Sequence, residues 1–167
     1  MSEIQERLSP DGRYKLIIQS NKTRPGCWNV LDIEVRRTAD DALVGTTSRN
    51  YPASHVLHFV QQDGVDYLVI SEHYHGGYGV MNLATGEKAH FDPNAGRSKD
   101  DPYRAFWCWA GPVSHDAQKK ELVISGCYWG MPYDRITFDF SNPMAPPYAI
   151  LKDEPEPFED DDEDEDV

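Results

Sequence analysis

Leu68-Val69-Ile70-Ser71-Glu72-His73-Tyr74-His75-Gly76 returns later in the chain as Leu122-Val123-Ile124-Ser125-Gly126-Cys127-Tyr128-Trp129-Gly130. The offset is constant, 122 against 68 and 130 against 76. In each copy an apolar strand runs into a loop with large rings and a glycine. A fainter third copy lies near the start, Leu16-Ile17-Ile18-Gln19-Ser20, with Cys27-Trp28 farther on. Self-similarity at a period near 50 residues marks a blade or another stacked β unit. One such unit leaves an apolar face bare, so the units must pack on each other.

Outward from these strands the punctuation repeats too. Asp11-Gly12 precedes the first copy and Asp63-Gly64 the second, and each predicts a tight turn. Asp116 and Lys119-Lys120 hold the same place before the third. Leu31, Ile33 and Val35 alternate with Asp32, Glu34 and Arg36, the period of a half-buried strand. Ile136, Phe138 and Phe140 alternate in the same way with Arg135, Thr137 and Asp139. Residues 45 to 54 read as a polar connector and residues 92 to 104 as a loop. Ala105 to Ala110, with Phe106, Trp107 and Trp109, reads as a strand, and Tyr148 to Leu151 as the last one. No stretch of ten residues carries a 3.6 period, and Pro143, Pro146, Pro147 and Pro155 oppose a C-terminal helix. The expectation is an all-β chain of about twelve strands. They form three repeated four-stranded antiparallel meander units at about 5–45, 55–92 and 105–151. These make one domain over 1–151, followed by a disordered acidic tail over 152–167.

Ser9-Pro10-Asp11-Gly12-Arg13-Tyr14 is similar to the turn that opens many β-propeller blades of the WD40 and TolB type. Val80-Met81-Asn82-Leu83-Ala84-Thr85-Gly86-Glu87 resembles the strand and turn that close such a blade. The chain has no Trp-Asp there and no Gly-His signature. The resemblance implies a propeller-like arrangement over residues 9–151. Propellers close with about four to eight blades. Three units therefore leave two chains completing a ring, a β-sandwich or a barrel as the open arrangements.

The net charge of -13 is concentrated. Eleven acidic residues and no basic ones lie from Asp153 to Val167, leaving 18 acidic against 16 basic elsewhere. A body without a basic stripe disfavours direct nucleic-acid binding, because phosphate contacts supply most of that affinity. Cys27, Cys108 and Cys127 form neither a disulfide framework nor a metal-finger spacing. No basic-then-apolar leader opens the chain and no apolar run approaches the roughly 20 residues of a membrane helix. The expected setting is cytoplasmic, with the nucleus open, and no membrane.

Several residue sets could carry chemistry. His73 and His75 lie two apart, on one face if the strand continues, and could both ligate a divalent metal. His58 or His90 could add a third ligand, with Glu72 or Asp92 as oxygen donor. Against this, the third copy places Cys127 and Trp129 at those positions, and no cofactor is expected. Ser71 and Ser125 lack the Gly-x-Ser-x-Gly elbow of a hydrolase, and Cys127 has no base nearby in sequence. His75-Gly76-Gly77-Tyr78-Gly79 lacks the Lys and Ser/Thr of a phosphate loop. No catalytic residue is assigned.

The aromatic residues give the leading reading. Trp28, Tyr74, Tyr78, Tyr128, Trp129 and Tyr133, with His75, fall at related places after the central strand of each unit. Stacked units would bring these loops to one face, and rigid rings there suit recognition of a protein partner. The competing reading puts the rings in the core. Asp160, Asp161, Asp162, Glu163 and Asp164 lie in a tail too polar to fold alone, which solvates the chain or docks on a basic partner surface. The expected function is non-catalytic protein interaction, with a homodimer open. The alternatives are a metal-dependent enzyme using His73 and His75, and a carbohydrate-binding module using Tyr128 and Trp129.

Overall fold

The computed structural model describes residues 3–22, 26–27, 29–50, 57–73, 77–93, 107–108, 113–128 and 134–155. The described residues contain no α-helix. The first sheet is a meander of β1 (Glu3–Leu8), β2 (Tyr14–Lys22), β3 (Asn29–Arg37) and β4 (Leu43–Asn50). The second is β5 (Leu57–Gln62), β6 (Val65–His73), β7 (Gly77–Asn82) and β8 (Lys88–Phe91). The third is β10 (Val113–Asp116), β11 (Glu121–Tyr128), β12 (Asp134–Asp139) and β13 (Ile150–Pro155). The two-residue β9 (Trp107–Cys108) pairs with the far end of β11. All pairings are antiparallel and none of the sheets closes into a barrel.

The packing follows from the two-residue period of a strand. In β6 the run Tyr67-Leu68-Val69-Ile70 is buried throughout. Leu68 and Ile70 join Leu16, Ile18, Leu31, Ile33 and Val35 of the first sheet in one core. Tyr67 and Val69 join Leu122, Ile124, Ile136, Phe138 and Phe140 of the third in another. The second sheet is thus the middle layer of a three-layer stack, and a strand buried on both faces reads as a continuous apolar run. In the first sheet burial alternates along the strand: Leu16 is 0% exposed, whereas Ile17 is half-buried.

The turns fit their residues. Asp63-Gly64 joins β5 to β6 with both residues at positive φ, 52° and 78°, the demand of a type I′ hairpin. Asp41 and Lys120 take the same left-handed conformation in the β3–β4 and β10–β11 turns.

Two strands, β1 and β10, were not read in the sequence, and two expectations need correcting. The N-terminal Glu3–Leu8 is a strand, paired from Glu3↔Ser20 to Leu8↔Lys15. The connector assigned to 45–54 is β4 as far as Asn50. Its inward positions are Gly45, Thr47 and Arg49, registered with Val35, Ile33 and Leu31, so no apolar alternation announces it. Within the strand expected over 105–110 the described residues Trp107–Cys108 form β9, and a further strand, β10, follows at Val113–Asp116. The last strand runs Ile150–Pro155, so residues 152–155 belong to the sheet and not to the tail. Residues 156–167 lie outside the described residues.

Candidate functional site

The three sheets stand in matched orientation. Arg13, beside the β1–β2 turn, pairs with Asp66 at the start of β6. Lys120, in the β10–β11 turn, reaches Asp63 in the β5–β6 turn at 2.8 Å. His115 Nε2 donates to Gln62 Oε1 at 3.0 Å, again across two sheets. All these contacts gather at one end of the stack. A meander alternates its ends, so the β2–β3, β6–β7 and β11–β12 connections all open at the other end. The candidate site is that end.

Its described floor is built around Arg49, Ser71 and Tyr78. Arg49 comes from β4 and is 1% exposed. Its Nη1 donates to the Ser71 carbonyl oxygen of β6, tying the first sheet to the second. Burial lowers the Arg49 pKa from its ordinary value, and the nearby Tyr78 hydroxyl opposes that shift. Tyr78 faces Ser71 in the β6–β7 register, is 0% exposed and is hydrogen-bonded to the Ser71 side chain. Burial raises its pKa far above the ordinary range, so its phenol stays protonated. The register shifts between Ser71 and His73. Such a bulge bends a strand and re-aims the residues beyond it. Together a buried cation, a buried phenol and a bulge form a stiff base under the β6–β7 connection.

An aromatic array lies deeper, between the second and third sheets. Tyr78 stacks on Phe91 with ring centroids 5.6 Å apart, and Phe91 meets Tyr148 at 4.7 Å and Phe138 at 5.6 Å. Tyr148 meets Phe140 at 5.3 Å, and its hydroxyl donates to the Pro143 carbonyl. The distances suit edge-to-face and offset packing.

The structure separates the expected binding residues. Tyr78 is in the core at the start of β7, not on a loop tip. Tyr128 ends β11 and His73 ends β6, with nothing described of their side chains. Trp28, Tyr74, His75, Trp129 and Tyr133 lie outside the described residues, as do Asp160, Asp161, Asp162, Glu163 and Asp164. Among the described residues no group of three His, Cys, Asp or Glu could hold a metal. His58 registers with Val69 in β5 and His90 with Gly79 in β8, the two edges of one four-stranded sheet. Three strand spacings separate them, about 14 Å, so one metal cannot take both. Arg49, His115 and the Phe91–Tyr148 contact were not singled out in the sequence. Only the offset between Gln62 and His115, close to that of the repeat, hinted at a cross-sheet pair.

No family model matches the chain, and no solved structure matches it. The chain is similar to an uncharacterized protein of Acanthamoeba polyphaga mimivirus, 30% identical over 138 residues, which is 83% of this chain and 51% of that protein. The chain therefore spans about half the length of the curated relative it matches.

Proposed function

We propose that this chain is a protein-interaction module whose binding face is the end of the stack opposite the Arg13–Asp66 and Lys120–Asp63 contacts. One observation carries the reading. Three equivalent connections leave a three-layer β stack at the same end; their sequences include Trp28, Tyr74, His75, Trp129 and Tyr133, and Tyr128 is the strand residue that leads into the third. Rings on a rigid scaffold contribute contact area at small entropic cost. The acidic run through Asp160, Asp161, Asp162, Glu163 and Asp164 adds steering toward a partner with a basic surface.

The other end suits this role less. Its turns are short, and its charges are matched among themselves, Arg13 with Asp66 and Lys120 with Asp63. The test is a paired substitution, Tyr74→Ala with Trp129→Ala. It should abolish capture of the cellular partner and leave the melting temperature unchanged. A fall of many degrees would assign these rings to the core and overturn the reading.

A further inference from the structure

We propose that β1 is a pairing edge for a second copy of this chain. β1 ends the first sheet, and the described side chains from Ile4 to Leu8 are all exposed. Ile4 is 62% exposed and Leu8 59%. The first strands of the other sheets are not left alone in this way. β5 buries Leu57, Val60 and Gln62, and Gln62 bonds His115 of β10. An exposed edge with two apolar side chains on one face is a template for another strand.

The register selects both face and occupant. Ile4, Glu6 and Leu8 pair with Gln19, Ile17 and Lys15, so they share the face turned away from the second sheet. That face also carries Asp32, Glu34 and Arg36 at the positions registered with Gln19, Ile17 and Lys15. Such a polar face caps the stack and does not continue it. Growth is therefore sideways, through the edge.

Antiparallel pairing of two β1 strands about a two-fold normal to the sheet keeps each face, so opposed residues share parity. Centred on Gln5, the pairing opposes the two Gln5 residues, whose carboxamides can bond each other. It also sets Glu3 opposite the second copy's Arg7, twice by symmetry, and makes the two Ile4 residues diagonal neighbours. Centred on Glu6, it would oppose two carboxylates. Opposite charges stabilise a cross-strand pair and like charges destabilise it, so the Gln5-centred register is the one that forms. The product is a continuous eight-stranded sheet. Six residues per copy bury little area, which sets the dissociation constant in the range of about ten to several hundred micromolar.

Sedimentation equilibrium of the full chain tests this, with circular dichroism melts to show that each variant is folded. The expected result is a monomer–dimer equilibrium in that range. Arg7→Glu should weaken it about tenfold, two like-charge pairs replacing two attractive ones. Adding Glu3→Arg to Arg7→Glu should restore it, and Ile4→Lys with Leu8→Lys should abolish it. Amide exchange in β1 should slow as the chain concentration rises, a readout that needs no variant. A chain monomeric at millimolar concentration, a dimer indifferent to every β1 change, or a failed charge-swap rescue would each overturn the proposal. Association only with a different protein's strand would overturn it as well.

Discussion

A Cβ placed on Gly86 would stand 2.3 Å from the carbonyl oxygen of Val44. The β7–β8 turn of the second sheet thus rests its backbone directly on the start of β4 in the first. Gly86 also holds a φ of +76°. Gly86→Ala should lose about 2–4 kcal/mol in denaturant unfolding, left-handed strain and overlap acting together. Gly12→Ala is the control, with φ +71° and nothing within 4 Å. It bears only the backbone cost, about 1–2 kcal/mol. Equal losses at the two glycines would contradict a close seam between the sheets.

The three-layer stack makes a second prediction about neighbouring residues. Leu68 faces the first sheet and Val69 the third, and both are 0% exposed. Leu68→Ala should cost about 3–4 kcal/mol and Val69→Ala about 2–3 kcal/mol, because both faces of β6 are core. In the outer sheet the alternation should show, with Ile17→Ala costing about 1 kcal/mol or less against about 3–4 kcal/mol for Leu16→Ala. Chemical unfolding of the four variants decides it. A cheap Val69→Ala would remove the third layer.

Phe91 joins three rings and is 4% exposed. Phe91→Ala should lose about 3–5 kcal/mol. A double-mutant cycle with Tyr148→Leu should show coupling of about 0.5–1.5 kcal/mol, the usual worth of an aromatic pair. Additive losses would mean that the two rings do not interact in solution.

Acidification should weaken the seam between the second and third sheets. His115 is held against Gln62, with its ring edge-on to Phe140 at 5.6 Å. Burial lowers its pKa from the usual 6.5, with Asp116 opposing. The unfolded chain therefore takes up the proton first as pH falls. The contribution of His115 is fully present above about pH 6.5 and declines as pH drops from there toward its folded value. His115→Gln should flatten that part of the stability profile, measured as the difference between wild type and variant. A difference that does not change with pH would show that His115 titrates normally.

Much of the scaffold was legible in the sequence. Leu68–Ser71 and Leu122–Ser125 named two equivalent central strands, and Asp63-Gly64 named its turn, because period-two burial and positive φ leave local marks. β4 was missed because Gly45, Thr47 and Arg49 fill its inward positions. β1 was missed because its side chains face solvent and its place is set by backbone pairing to β2. Tyr78 was read as a loop ring and is a core ring. Its glycine neighbours, Gly77 and Gly79, resemble a loop, yet a Cβ on Gly77 would meet the Phe91 carbonyl oxygen at 2.5 Å. The glycines there permit close strand packing. The Arg49–Ser71 tie joins distant strands and has no signature in either segment.

The proposed binding face is the end of the stack that carries the β6–β7 and β11–β12 connections. A photo-crosslinking amino acid placed singly at Tyr74 and Trp129, and at Ala39 and Gln118 in the opposite turns, tests it most directly in the cell. One common adduct is expected from Tyr74 and Trp129 and none from Ala39 or Gln118. The same adduct from all four positions, or adducts from Ala39 and Gln118 alone, would contradict it.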